Sequence, residues 1–264
     1  MDISKFKTKS ELFTYLKENQ EDLIYAKKSA IKEADSVSLG TIQIKGDVVS
    51  NKSNSDVDQT EIKVRAIINT TMVKDSHGDV HINGLWKKSM QENKMIKHLQ
   101  EHQMSFKTII ADKEDLKAFT KKYSWKDLGV DADGSTEALV FDSTVKRSRN
   151  EYMFKEYGQG NVDNHSVGMQ YVKISLAVDS EDEDYEKEKA VYDKYIDDIL
   201  NKEEVKKDGY FWAVTEAKAI EGSAVPIGSN TITPTIPRKQ EPVLTETQIK
   251  ENAIKSWLKA PKAE

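Results

Sequence analysis

The sequence predicts an α+β protein whose central part is rich in strands. Runs of β-branched residues, such as residues 62–73, are typical of strands. Elsewhere, apolar residues recur at spacings of three and four, which predicts helices. Because the strand candidates are separated by helices of uneven length, we expect a small β-barrel or curled sheet with flanking helices.

The N-terminal segment, residues 8–34, has the apolar spacing of a helix. Thr8 and Glu11 form a capping box at its start. Residues 46–61 are polar and lack any period, which indicates a linker. Residues 1–61 are therefore predicted to be a helical extension and linker that precede a central domain, residues 62–227.

The central domain contains most of the strand candidates. Its predicted elements are a strand over 62–73, a turn over 74–80, a helix over 83–103, strands over 107–112 and 134–145, a helix over 148–160, and strands over 165–178 and 209–225.

An acidic segment, residues 179–208, interrupts this pattern. It holds 13 Asp or Glu and 6 Lys, a net charge of −7, yet Tyr192, Ile196, Ile199 and Leu200 keep a helical stripe. We expect a helical insertion between two strands, with a solvated face and no part in the core.

Residues 228–264 are predicted to be a proline-containing tail outside the core. Residues 228–244 hold three of the five prolines and indicate an extended linker. Residues 245–260 have the spacing of a short amphipathic helix, which would dock on a partner or pack against the chain's own domain.

The composition disfavours several function classes. With a net charge of −5, the chain lacks the basic field that attracts nucleic acid or anionic membranes. It has no cysteine, which excludes disulfides, thiol nucleophiles and cysteine-ligated zinc. Its apolar runs are too short for a membrane span or a signal peptide. We therefore expect a cytosolic protein with neither nucleic acid nor a membrane as a partner.

All five histidines lie in three short stretches of the chain. His77 and His81 are four residues apart, as are His98 and His102, and on a helix this spacing places two imidazoles on one face, as zinc requires. The first pair straddles a glycine, however, and neither pair has the adjacent glutamate of a His-Glu-x-x-His motif. A metal-dependent hydrolase stays an alternative, and we expect neither a metal nor a cofactor.

The segment "NHSVGMQYV", residues 164–172, offers a different chemistry. Ser166 is followed by Val167 and Gly168. Because glycine has no side chain, we expect the backbone near the Ser166 hydroxyl to leave room for a substrate carbonyl. A serine becomes a nucleophile when an imidazole accepts its proton and a third group orients that imidazole. A Ser-x-Gly triplet is common, so the other two groups must be found elsewhere in the chain.

Three motifs, in order, resemble those of the tailed-phage prohead maturation proteases. Residues 70–103 contain an Asp-x-x-Gly-Asp turn and end in Glu101-His102-Gln103, residues 165–172 read "HSVGMQYV", and residues 216–230 read "EAKAIEGSAVPIGSN". The resemblance covers residues 64–230. It departs at Gln103, where aspartate is usual, at Gly222, where a β-branched residue is usual, and at the acidic segment.

The resemblance implies a serine endopeptidase with Ser166 as nucleophile, His102 as general base and Glu221 as the group that orients the histidine. The neighbouring His165 is expected to point to the opposite face of its strand, because side chains alternate. Glu216 lies close to Glu221 but lacks its Glu-x-Ser context.

The resemblance also implies a fold and a set of partners. The fold would be similar to that of the herpesvirus assemblins, which work as dimers, so we expect a homo-oligomer. Assemblins use a second histidine as the third catalytic member, which leaves His77 and His81 as minority candidates. The substrates would be the scaffold or capsid-protein extensions inside an immature phage head, in the host bacterial cytoplasm, together with the enzyme itself. A catalytically silent capsid or scaffold component remains an alternative.

Overall fold

The computed structural model describes residues 5–30, 60–92 and 95–236. The helices are α1 (Lys9–Glu18), α2 (Gln20–Ser29), α3 (Lys87–Glu92), α4 (Glu151–Gln159), α5 (Glu186–Tyr195) and α6 (Lys202–Asp208). The strands are β1 (Glu61–Thr70), β2 (Asp79–His81), β3 (Lys97–Gln100), β4 (Ile109–Ala111), β5 (Leu116–Ser124), β6 (Ser135–Lys146), β7 (His165–Val178), β8 (Tyr210–Ala224) and β9 (Thr235–Ile236).

Two sheets form the centre of the protein. The first has the order β5-β6-β1-β9, with antiparallel neighbours throughout. In the second sheet, β7 pairs antiparallel along the whole of β8. On the other edge of β8, β2 and β3 each pair in parallel with a different part of the strand. The strand β4 then pairs antiparallel with β3.

This architecture confirms the α+β class. The sheets do not close into a barrel within the described residues, because no strand pairing joins them: β9 pairs with β1 over two residues only, and β7 pairs with β8 alone. The predicted barrel is therefore replaced by two packed sheets.

The sheets pack face to face over one apolar cluster. Ile68 and Phe141 of the first sheet meet Val167, Met169 and Trp212 of the second. The N-terminal helix α1 begins after Thr8, whose side chain accepts a hydrogen bond from the Glu11 N–H at 3.2 Å. Its buried residues Leu12, Phe13 and Leu16 belong to the same cluster, so this extension is part of the core. The single predicted helix breaks at Asn19 into α1 and α2.

The acidic segment folds into α5 and α6 between β7 and β8. The expectation that it has no part in the core is wrong, because Tyr192, Ile196 and Ile199 are buried in a second apolar cluster with Val205 and Phe211. The helical stripe faces the domain, and most of the acidic side chains remain at the surface, but Glu188 is buried and contacts Lys17 at 3.8 Å.

The predicted tail also begins later than expected. Ile232 and Thr233 are buried, and the Asn230 Nδ2 donates hydrogen bonds to the carbonyl oxygen and hydroxyl of Thr70 at 2.9 and 3.0 Å. Residues 228–236 therefore belong to the packed domain. The remainder of the tail, with its predicted amphipathic helix, lies outside the described residues, as does most of the predicted linker.

The helix predicted over residues 83–103 is wrong beyond α3. Lys97–Gln100 is the strand β3, which pairs with β8 on one side and β4 on the other. Backbone pairing on both sides overrides a helical spacing of side chains.

The strand β5 was missed in the sequence. It lies at a sheet edge and its side chains alternate only weakly, although it pairs with β6 over its full length.

Candidate active site

Strand register places Ser166 on the same face of the second sheet as Glu221 and Ser223. Ser166 of β7 lies opposite Ser223 of β8, and Gly168 lies opposite Glu221. Directly opposite residues of an antiparallel pair project from the same face, as do residues two apart on one strand. The intervening Gly222 faces Phe141 of the first sheet, so this set of side chains points away from the first sheet.

A tight turn after β3 brings His102 to this face. Glu101 and His102 both have positive φ, 52° and 57°, as in a type I′ turn. The Gln103 N–H donates to the Gln100 carbonyl oxygen at 3.0 Å, and the Glu101 N–H donates to the Ala224 carbonyl oxygen at 2.9 Å. Left-handed backbone costs free energy in non-glycine residues and is retained where the surroundings enforce it. The turn and its bond to β8 fix the direction of the imidazole.

His102 and Glu221 are in direct contact. The His102 Nδ1 lies 2.6 Å from the Glu221 Oε1, and their side chains are only 9% and 5% exposed. The other carboxylate oxygen accepts a hydrogen bond from the Ser223 hydroxyl at 2.6 Å. The same hydroxyl accepts the His102 backbone N–H at 3.1 Å. Glu221 is thus held at both oxygens, and it favours the imidazole tautomer that carries a proton on Nδ1.

The second ring nitrogen of His102 is buried without a hydrogen-bond partner among the described residues. Leaving a buried polar atom unpaired costs about 1–3 kcal/mol. With the proton on Nδ1, this Nε2 presents a lone pair. In this tautomer the Nε2 can accept a hydrogen bond from a donor that comes within reach.

Ser166 is 7% exposed. Within the described residues, no hydrogen bond joins its hydroxyl to His102. The structure therefore brings two of the three predicted site residues into contact and places the third on the same face, on the strand next to that of Glu221.

Two glycines make room for this arrangement. A Cβ on Gly168 would lie 2.1 Å from the Glu221 Oε1, so the space that was expected to admit substrate is filled by the carboxylate. A Cβ on Gly222 would lie 2.5 Å from a ring carbon of Phe141 and 2.8 Å from a methyl of Ile68. Close packing between the sheets explains glycine where the resembling proteases carry a β-branched residue.

His98 and His165 face the interior of the protein. The Tyr157 hydroxyl lies 3.1 Å from the His98 Nε2 and 3.0 Å from the His165 Nε2. Their other ring nitrogens contact the Ser143 hydroxyl at 2.8 Å and the Thr233 carbonyl oxygen at 2.9 Å. Burial lowers the pKa of His98 well below its usual value and the pKa of His165 to about 4. Both rings are neutral at pH 7, and the expectation that His165 lies on the opposite face from Ser166 is confirmed.

The histidine pairs do not form a zinc site of the helical kind. His98 lies in a strand and His102 in a turn, so they share no helix face. His77 lies in the turn before β2, and His81 lies in β2. No group of three or more potential ligands is clustered for a metal ion in the part of the chain that the structure describes.

His81 is engaged at both ring nitrogens. Its Nδ1 lies 3.0 Å from the Asn69 Nδ2, and its Nε2 lies 3.1 Å from the Tyr171 hydroxyl, which donates to Asp79 at 2.8 Å. His77 and His81 line a cavity of about 10 Å³ together with Ser166. The contact that His102 makes, however, is with Glu221 and not with either histidine.

Glu216 lies apart from His102. Its carboxylate contacts Lys173 at 2.6 Å and Lys88 at 3.6 Å.

Sequence reasoning missed Ser223, which holds both Glu221 and the His102 backbone. The signal was the Glu-x-Ser spacing, since residues two apart on a strand share a face.

No family model, curated protein or solved structure matched this chain. None of the helices in residues 5–30, 60–92 and 95–236 is long and apolar enough to cross a membrane.

Proposed function

We propose that the protein is a serine endopeptidase in which Ser166 is the nucleophile, His102 the general base and Glu221 the orienting carboxylate. One observation carries the proposal: a buried imidazole is held by a carboxylate at Nδ1 and has an unpartnered Nε2, on the sheet face that also presents Ser166. A purely structural histidine would be expected to use both nitrogens, as His98, His81 and His165 do.

The reaction follows from these atoms. The Ser166 hydroxyl transfers its proton to the His102 Nε2 while its oxygen attacks the substrate carbonyl carbon. Glu221 stabilises the resulting imidazolium, which then returns the proton to the leaving amine and leaves an acyl-enzyme. Water, deprotonated by the same imidazole, releases the acyl group from Ser166. Ser223 keeps the carboxylate in place throughout.

The Ser166–His102 hydrogen bond would form when substrate binds. Catalytic hydrogen bonds are often long or poorly aligned in a free enzyme and tighten in the substrate complex. An unpaired Nε2 supplies a driving force for this step, because the new bond satisfies a buried polar atom.

The resemblance to the prohead maturation proteases supports a more specific role. We propose that the substrates are scaffold or capsid-protein extensions in an immature phage head, and that the enzyme is an assemblin-like homo-oligomer, a dimer in the simplest case. The contact between His102 and Glu221 joins two of the three motifs on which the resemblance rests. Self-cleavage would fall within residues 237–264, because residues 228–236 are packed on the domain.

Labelling with a fluorophosphonate tests the catalytic part of this proposal. We expect one adduct per chain in intact mass spectra, located on the peptide that contains Ser166, and no adduct in Ser166→Ala. Ser180→Ala, in the acidic segment, is the matched control and should be labelled like the wild type.

Co-expression with the capsid protein of the same phage tests the substrate. The wild type should shorten the capsid protein and its own C-terminal end, and Ser166→Ala should shorten neither. Unlabelled wild-type protein, or equal processing by Ser166→Ala, contradicts the proposal.

A further inference from the structure

An open cleft of about 350 Å³ is lined by residues that are neighbours of His102 and Glu221 in the chain or in the sheet. Ala219 and Ile220, which directly precede Glu221 on β8, line it together with Met104, which follows His102 by two residues. Lys97 of β3, the register partner of Glu221, also lines it. The cleft is therefore built from the same strand and turn that carry the candidate catalytic groups.

A β-bulge turns Ile220 toward this cleft. Gly168 pairs with Glu221, but the next residue of β7, Met169, pairs with Ala219, which leaves Ile220 without a partner on β7. Bulges are frequent next to active sites, where they redirect one side chain. Here the extra residue adds an aliphatic surface to the cleft and keeps Glu221 in register with Gly168.

The other side of the cleft exposes apolar side chains to solvent. Met104 is 63% exposed and lies in the loop between β3 and β4, where Phe106 is 87% exposed. Met95, which also lines the cleft, is 79% exposed. Large apolar groups that are exposed together usually mark a surface that binds something, and methionine adapts its shape to different ligands.

We propose that this cleft is the subsite that selects an apolar side chain of the peptide substrate close to the scissile bond. The inference rests on the proposed peptidase function. Ile220, Met104 and Met95 supply the apolar contact. Lys218 also lines the cleft, as does Lys97, whose Nζ lies 3.5 Å from an Asp112 carboxylate oxygen. A substrate lysine or arginine entering the cleft therefore meets the like charge of Lys218 and is rejected.

The expected preference for apolar over basic substrate side chains can be estimated from the free energy of moving an apolar group from water into a pocket. One methylene in a hydrophobic pocket changes kcat/KM by about 10- to 200-fold. We therefore expect Leu, Ile, Met or Phe to exceed Lys or Arg by at least about tenfold at one fixed position relative to the cut. Substrate residues that do not enter the cleft should show a weaker preference.

A peptide library made from a digested proteome measures this preference, with cut sites read by mass spectrometry. The variants are Met104→Lys, at an exposed position, and Ile220→Ala, which removes aliphatic surface without adding charge. Tyr152→Lys, at a position that is 59% exposed on α4, is the matched control. Fluorophosphonate labelling of Ser166 is measured on every variant, because it reports the catalytic groups independently of the cleft.

The inference is supported if all four proteins are labelled and only the two cleft variants lose the apolar preference. It is overturned if the wild type shows no apolar preference at any fixed position, or if both cleft variants keep the wild-type profile. In either of those cases labelling at Ser166 persists and the peptidase proposal stands. Absence of labelling in the wild type would instead remove the peptidase proposal and this subsite with it.

Discussion

Gly168→Ala should abolish the proposed peptidase activity by displacing the Glu221 carboxylate from His102. The added methyl carbon would lie 2.1 Å from the Glu221 Oε1, 2.9 Å from its carboxyl carbon and 3.0 Å from its Cγ. A contact below 3 Å requires movement, and the side chain of Glu221 moves more easily than the strand. The His102 Nδ1, now 2.6 Å from this oxygen, would lose its partner.

The magnitude follows from what the carboxylate does. Removing the orienting charge from a comparable triad lowers kcat by about 10⁴-fold, and partial displacement should cost about 10²-fold or more. Overpacking of this kind lowers the free energy of unfolding by about 1–3 kcal/mol. Gly168→Ala should therefore stay folded while losing most of its activity.

The assay compares kcat with the urea midpoint of unfolding for Gly168→Ala and for Gly158→Ala. Gly158 lies in α4, where an added Cβ meets only an Ile62 methyl at 3.2 Å and alanine favours the helix. The control should keep its activity. Full activity in Gly168→Ala would show that Glu221 does not orient His102 during the reaction.

Three further changes test other parts of the account. Glu221→Gln should keep the fold and lower kcat by up to about 10⁴-fold, because an amide cannot stabilise the imidazolium; wild-type kcat would move the orienting role to another group. Ser223→Ala should lower kcat about tenfold at constant KM and cost about 1–3 kcal/mol of stability by leaving buried polar groups unpaired; a change in KM alone would indicate a substrate contact instead. Because burial lowers the pKa of His165 to about 4, the unfolded chain binds more protons between pH 4 and 6.5. His165 therefore leaves the free energy of unfolding unchanged above about pH 6.5. As the pH drops to 4, it lowers that free energy by about 3 kcal/mol. Urea titrations at several pH values should show a shallower loss for His165→Gln, and an equal loss in both proteins would contradict the burial argument.

The two longest strands, β7 and β8, were predictable from the sequence. The predicted strand over residues 165–178 matches β7, and the one over residues 209–225 matches β8 to within one residue at each end. Both are long and contain aromatic and β-branched residues, and both are bounded by polar segments. Part of the candidate site was also predictable, because side chains alternate along a strand and Glu221 and Ser223, two residues apart, project from the same face.

The elements that depend on distant pairing were not predictable. Lys97–Gln100 has a helical spacing and becomes a strand only because β8 and β4 flank it. The same is true of residues 228–236, whose proline and polar residues indicate a linker but which pack through Asn230 and Thr233. The stripe of the acidic segment was visible in the sequence, but the partner that buries it, Phe211, lies on a strand beyond the segment.

The most direct test of the central claim is whether Ser166 and His102 act as one unit. The measurement is kcat/KM on one peptide substrate for Ser166→Ala, His102→Ala and the double variant. Neither residue of a catalytic unit contributes to the rate without the other, so the double variant should be no slower than either single variant. We expect kcat/KM to fall by about 10⁶-fold in all three. Losses that multiply in the double variant, or a His102→Ala protein that keeps substantial activity, would show that the buried imidazole does not serve Ser166.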